Sequence, residues 1–218
     1  MIMDGNKRWS KLHGVTLKKG YIEGFNKIEE IIEICITNEI KYLTLYALSS
    51  ENIKRSSVSL IYEVLFSEYK KLFGNKKFLN SVKVNVLGEK NNISKKILKI
   101  IHEVENNTKS NNKLIMNIAF NYGTDKEIIS IIKNLINKNI DSNKINNNLI
   151  KKEMYLSNSP DPDILIRTGG FQRLSNFLLM NLSYTELFFT KTLWPDLKKK
   201  EILSIFDKFN TIKRNYGL

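Results

Sequence analysis

Only five of the 35 basic residues in this chain are arginines: Arg8, Arg55, Arg167, Arg173 and Arg214. Elsewhere lysine supplies the positive charge. A planar guanidinium fork grips carboxylates and phosphates in a geometry that lysine does not reproduce, so each arginine marks a candidate anion site. Four of them lie in polar turns rich in small residues: Asp4-Gly5-Asn6-Lys7-Arg8-Trp9, Ser49-Ser50-Glu51-Asn52-Ile53-Lys54-Arg55, and the run from Arg167 through Thr168, Gly169, Gly170, Phe171, Gln172, Arg173, Leu174 and Ser175 to Asn176. Asn121-Tyr122-Gly123-Thr124 is a fourth turn of this kind. Glycine turns that open helices offer backbone N–H groups to an anion. Forked arginines beside them suit a phosphate or diphosphate. Asp4 has the opposite sign, and a carboxylate among phosphate binders suggests Mg2+ bridging the two. Helix capping accounts for any one turn alone; four together point to anion chemistry.

Each turn follows a short apolar run with strand character. Such runs occur at Met1 to Met3, Ile40 to Leu48, Val82 to Leu87, Leu114 to Phe120, Ile164 to Ile166 and Glu186 to Phe189. Between them, Phe25 to Ile36, Val58 to Phe73, Ser94 to Val104, Glu127 to Ile136 and Glu201 to Ile212 carry helical periodicity. Strands alternating with helices predict an α/β fold: a single domain over residues 1–218 with a mostly parallel central sheet flanked by helices. The runs at 40–48 and 114–120 are nearly all apolar, as strands covered on both faces are. Ligands of open α/β sheets bind beyond the carboxyl ends of the strands, where the four turns lie. The Val58–Phe73 stripe is wider than sheet packing requires: it is buried against a partner subunit, or it lines a cleft for an apolar substrate. The Asn-rich stretches 106–112 and 143–148 read as solvated loops. Met1–Met3 is a short first strand, since about five or six residues are usual.

Composition narrows the classes. The chain has 218 residues, 42% of them apolar, with 22 acidic residues and a net charge of +13. One domain with a sizeable core is expected at this length. A lone cysteine, Cys35, excludes a disulfide framework. With no run of about 18 apolar residues and no signal-peptide pattern, a cytosolic protein is expected. The sequence holds 27 asparagines, and its lysines are scattered rather than clustered, so the basic excess reads as compositional drift of the surface. A basic module binding nucleic acid through those lysines is the alternative from another class. The P-loop, the dinucleotide fingerprint and the nucleophile elbow are all missing. His13 and His102 read as surface residues.

Taken in order, the motifs resemble the cis-prenyltransferases, the family that includes bacterial undecaprenyl diphosphate synthase. They are Met3-Asp4-Gly5-Asn6 with Arg8-Trp9, Leu45-Tyr46-Ala47 with Ser49-Ser50-Glu51-Asn52, Asn117-Ile118-Ala119 with Asn121-Tyr122-Gly123, Asp161-Pro162-Asp163 with Leu165 to Gly170, Arg173 with Ser175 to Leu179, and Tyr184 with Glu186-Leu187 and Trp194-Pro195. The resemblance spans essentially the whole chain. It implies a homodimer that adds isopentenyl diphosphate to farnesyl diphosphate with cis double bonds, using Mg2+ and a hydrophobic tunnel, and contacting the membrane peripherally through its product. By position, Asp4 falls on the essential metal-binding aspartate, and Gly5, Asn6, Lys7, Arg8 and Trp9 on the turn for the allylic diphosphate. Ser49, Ser50, Glu51 and Arg55 line the substrate site, and Asn52 is implicated in proton removal. Arg167, Arg173, Leu174 and Ser175 hold isopentenyl diphosphate, and Glu186 is a second Mg2+ contact. No nucleic-acid partner is expected on this reading. Leu17, Tyr21, Ile53 and Gln172 stand where the family usually has Arg, His, Trp and His. Non-catalytic partner subunits of the family typically lose the Asp4-type residue, which this chain keeps.

Overall fold

The computed structural model describes residues 1–54, 58–74, 80–91 and 93–214. Five strands and seven α-helices follow one another through these residues: α1 (Asn6–Leu12), α2 (Leu17–Thr37), β1 (Tyr42–Ser49), α3 (Val58–Gly74), β2 (Val82–Leu87), α4 (Lys95–Thr108), β3 (Leu114–Tyr122), α5 (Thr124–Asn137), α6 (Asn147–Glu153), β4 (Ile164–Arg167), β5 (Glu186–Phe189) and α7 (Lys199–Thr211). Parallel pairing gives the orders β1-β3-β2 and β4-β5. Ile2 joins the two groups through single parallel bridges to Tyr46 and Arg167. The result is the α/β fold with a parallel sheet that the strand and helix spacing predicts.

β3 is central, and its Leu114, Met116, Ala119 and Tyr122 are fully buried. On one face, Ile31, Ile34 and Cys35 of α2 pack on Leu43, Leu45, Val84 and Met116, with Trp194, Leu197 and Ile202. Elsewhere Tyr46, Tyr122, Leu165, Phe177 and Leu178 form a second cluster. Burial pushes the Cys35 thiol up to about 12, so it stays a neutral core residue. Glu127 is buried too, but Tyr122 Oη donates to its Oε2 at 2.6 Å and Tyr155 N to its Oε1 at 2.7 Å. A buried carboxylate with such donors costs the fold little.

Two segments differ from the expectation of turns and loops. Asn6 to Trp9 is helical, forming most of α1, because Gly5 at φ 127 turns the chain sharply after Asp4. A Cβ on Gly5 would lie 2.9 Å from Leu193 Cα, so the turn also needs the space. In the stretch 143–148, Asn146 is not a loop filler: its Oδ1 accepts from Leu149 N at 3.1 Å and caps α6. The α2 helix starts at Leu17, eight residues before the apolar periodicity at Phe25, where Thr16 Oγ1 accepts from Lys19 N. Its Gly20 and Gly24 let α1 and Trp194 approach: Trp194 Nε1 donates to Gly24 O at 2.7 Å.

Candidate active site

The first three arginine-bearing segments meet at the carboxyl end of the sheet. Asp4 follows the Ile2 bridge, and Arg167 ends β4 beside it. Arg167 Nη2 donates to Asp4 Oδ2 at 3.0 Å, and Arg8 Nη2 donates to Asp4 Oδ1 at 3.1 Å. One carboxylate is thus held between two guanidiniums. Arg167 is only 3% exposed, while the Asp4 side chain keeps 27% of its surface open. The backbone secures the arrangement: Thr168 Oγ1 and Trp194 N both donate to Asp4 O, at 2.7 and 3.1 Å.

The second half of the site is the loop after β4. Gly169 and Gly170 have φ of 84 and 81, the left-handed region that favours glycine. A Cβ on Gly169 would lie 2.5 Å from Arg8 Nη2 and 2.9 Å from Asp4 O. This close approach lets Arg8 Nη1 donate to Gly169 O at 2.6 Å. Arg167 Nη1 donates to Ser175 Oγ at 2.8 Å and to the Arg173 carbonyl. Its buried Nε has no hydrogen-bond partner among the described residues. Phe171 lies against both Arg8 and Arg173, whose guanidinium carbons are 4.7 and 4.1 Å from its ring centroid.

The end of β1 contributes Ser49 and Ser50, both buried, with Asn52 N donating to Ser49 Oγ at 3.2 Å in a short 3₁₀ turn. Glu51 meets the loop through Asn176, whose Nδ2 donates to Glu51 Oε1 at 3.0 Å and to Asp125 Oδ1 at 2.7 Å. Burial alone would raise the Glu51 carboxyl, but the Asn176 amide and nearby donors outweigh it and hold the group below its ordinary range. The Asn176 amide is the main cause of the same downward shift at Asp125. Asn176 and Asp125 belong to this cluster, yet sequence reasoning did not mark them as site residues. The SN pair after Arg173 was a usable signal, since Asn tolerates the left-handed φ of 60 found there.

Of the other expected residues, Lys7 is exposed, and Leu174 packs on the core cluster beneath the loop. Trp9 stacks on exposed His13 at 4.2 Å and donates Nε1–H to Asp196 Oδ1 at 2.7 Å. Arg55 lies outside the described residues. Glu186 is not brought to Asp4. The β4–β5 register sets Glu186 opposite Ile164 and Phe189 opposite Arg167, so Glu186 sits about 10 Å along the strand, at the far edge of the sheet. The strand expected from Glu186 to Phe189 is present, with this carboxylate at its start, away from the strand ends that carry Asp4 and Arg167.

An apolar cavity of about 150 Å³ adjoins the charged cluster. Met3, Asn6 and Trp194 line it from the Asp4 side, Tyr21, Phe25 and Ile28 from α2, and Ile61, Val64 and Leu65 from α3. Part of the wide α3 stripe therefore faces a cleft. A larger cavity, about 490 Å³, lies at the opposite edge of the sheet, between the start of β1 and α7, and no arginine lines it.

For a metal ion, Asp4 is the carboxylate of the arginine cluster, and no group of three or more acidic, His or Cys residues gathers among the described residues. Mg2+ commonly binds one or two carboxylates together with substrate phosphates. A half-open Asp4 beside free space and three arginines fits that shared mode. It does not fit an all-protein cage.

Residues 2–217 match the family described as putative undecaprenyl diphosphate synthase. The isoprenyl transferase of Aquifex aeolicus is 37% identical over 219 residues, covering all of this chain and 94% of that protein. The tritrans,polycis-undecaprenyl-diphosphate synthase (geranylgeranyl-diphosphate specific) of Pyrococcus horikoshii is also 37% identical, over all of this chain and 85% of that protein. Lavandulyl diphosphate synthase from Lavandula x intermedia, solved in complex with dimethylallyl diphosphate, superposes with a TM-score of 0.90 at 27% identity, covering 100% of this chain and 96% of that one.

Proposed function

Because the chain belongs to the undecaprenyl diphosphate synthase family and is a cis-prenyltransferase, we propose that it condenses isopentenyl diphosphate onto farnesyl diphosphate with cis double bonds, to give a long-chain polyprenyl diphosphate. One observation carries this reading: the charged cluster and the apolar cavity share the segment Met3–Asn6. That juxtaposition matches an amphiphile with a diphosphate head and a hydrocarbon tail. A cavity of about 150 Å³ suits a group the size of benzene, so it holds the first part of a tail.

Ionising an allylic diphosphate breaks its C–O bond and leaves the electron pair on the diphosphate. Arg8 and neighbouring N–H groups offset that charge where it develops. Arg167, locked by Asp4 and Ser175, and Arg173 orient the second diphosphate so that its double bond faces the forming cation. Asn52, a neutral amide, orients the carbon that loses its proton once the new C–C bond has formed, and the released diphosphate accepts that proton. Asp4 would hold Mg2+ at this site, and the ion would supply further charge neutralisation.

The same reading includes a homodimer. Ile128, Ile129, Ile132 and Ile136 leave a row of exposed isoleucines on α5, and Leu179, whose N donates to Thr124 at the start of α5, is exposed too. Apolar surface of this extent marks an interaction face. Peripheral membrane contact through the apolar product belongs to the proposal as well; no helix of the described residues is long and apolar enough to cross a membrane. Incubation with farnesyl diphosphate and radiolabelled isopentenyl diphosphate, with and without EDTA, tests the activity. Labelled polyprenyl product that disappears with EDTA is expected; no product with added Mg2+ overturns the reading.

A further inference from the structure

We propose that Phe171 is a positioning residue that holds Arg8, at the allylic diphosphate, beside Arg173, at the isopentenyl diphosphate, an inference that rests on reading those arginines as diphosphate binders. Phe171 is 41% exposed, so core packing does not explain a large aromatic there. It follows two successive glycines with φ of 84 and 81, and that turn directs the loop back over the arginines. Arg8, from α1, and Arg173, from the far end of the loop, both place their guanidiniums over its ring, at 4.7 and 4.1 Å.

Two like charges brought together repel each other. The negative face of an aromatic ring offsets that repulsion. A carboxylate in the same place would do so as well, but it would consume the N–H donors and cancel the charge that an anion needs. A ring attracts the guanidinium through its face and leaves the in-plane N–H groups available. Arg173 fits this role: among the described residues its side chain makes no hydrogen bond or ion pair, and Phe171 is its ring contact. Arg8 is tethered on one side by Asp4 and Gly169 O. Phe171 therefore sets the spacing between a fixed guanidinium and an otherwise free one.

The test compares Phe171→Leu, which keeps apolar bulk without a ring face, with Phe171→Tyr, which keeps the face. Inorganic diphosphate binding is measured by calorimetry, and KM and kcat are measured in the condensation assay. Phe171→Leu should weaken diphosphate binding and raise the KM for isopentenyl diphosphate by about three- to tenfold, with little change in kcat. Phe171→Tyr should restore both to within about twofold. Melting curves confirm that the exposed substitution leaves the fold intact. Wild-type diphosphate binding in Phe171→Leu, equal behaviour of Leu and Tyr, or no diphosphate binding by the wild type each overturns the inference. If Phe171→Leu weakens diphosphate binding but the wild type makes no polyprenyl product, the pairing stands and the proposed condensation fails.

Discussion

Arg167 and Asp4 lie far apart in the chain, yet Arg167 Nη2 donates to Asp4 Oδ2 at 3.0 Å, with Ile2 bridging the Arg167 strand directly beneath them. The aspartate is consequently a structural partner as well as a candidate metal ligand.

Asp4→Ala should abolish turnover, but it should also leave the Arg167 guanidinium, 3% exposed, without its counter-charge. Stripping one partner from a buried pair costs about 3–5 kcal/mol, and the half-open Asp4 reduces that to about 1–3 kcal/mol. The melting temperature should fall accordingly. Asp4→Asn, which keeps an acceptor for Arg167, should be equally inactive and melt closer to wild type. Activity near wild type in both variants would remove Asp4 from the mechanism.

Arg167→Lys and Arg173→Lys should separate along the same lines. Both lose a fork, worth about 1.5–3 kcal/mol on a charged partner, so both should raise the KM for isopentenyl diphosphate about tenfold or more. Only Arg167 also ties down Ser175 Oγ and the Arg173 carbonyl. Thermal melts should therefore register Arg167→Lys and pass over Arg173→Lys. An unchanged KM in either Lys variant would remove that arginine from the diphosphate site.

The resemblance to the cis-prenyltransferases implies an Arg and a His at the positions of Leu17 and Tyr21. The neighbouring lysines are already engaged: Lys18 with Glu63, and Lys19 with Glu23 at 2.6 Å. Exposed pairs of this kind hold by less than about 1 kcal/mol, so either lysine can be recruited in part. Leu17→Arg with Tyr21→His should lower the KM for farnesyl diphosphate without moving that for isopentenyl diphosphate. A steady or raised farnesyl KM would mean that the allylic end is built from other groups.

Acid should loosen the loop. Glu51 and Asp125 have folded-state pKa values below their ordinary 4.5 and 3.8, with the Asn176 amide donating to both. For depressed carboxylates the stabilisation is complete above the unfolded values and is lost as pH falls through the folded ones. Chemical denaturation of wild type and Asn176→Ala at about pH 6 and about pH 3 reads this out. The gap between them should narrow at the lower pH; a gap that is the same at both would separate Asn176 from these carboxylates.

Much of this architecture is legible from the residues. The continuous apolar runs of β1 and β3 announce buried parallel strands, and the strand-end rule alone puts Asp4, Arg8, Arg167 and Arg173 at one end of the sheet, where the structure brings them together. What escapes is set by tertiary context. The α1 stretch NKRWSKL has no apolar stripe to reveal a helix, because its glycine turn and contact with α2 impose it. Ser175, Asn176 and Leu178 take positive φ without glycine, a strain held by hydrogen bonds from Arg167, Thr124 and Tyr46 that no local pattern encodes. The register that carries Glu186 to the far edge is likewise a property of the pairing.

The one-residue bridge at Ile2 bears on how the molecule assembles. The β1-β3-β2 and β4-β5 groups have no ladder between them except through Ile2, which contacts Tyr46 on one side and, across nearly the whole chain, Arg167 on the other. Contacts so distant in sequence close late, because the loop entropy must be met before they contribute. Each half of the sheet can therefore pair first, while Asp4 and Arg167 remain apart until the seam zips shut. On the proposed reading, the Asp4–Arg167 pair that would face a diphosphate is completed only when that seam closes.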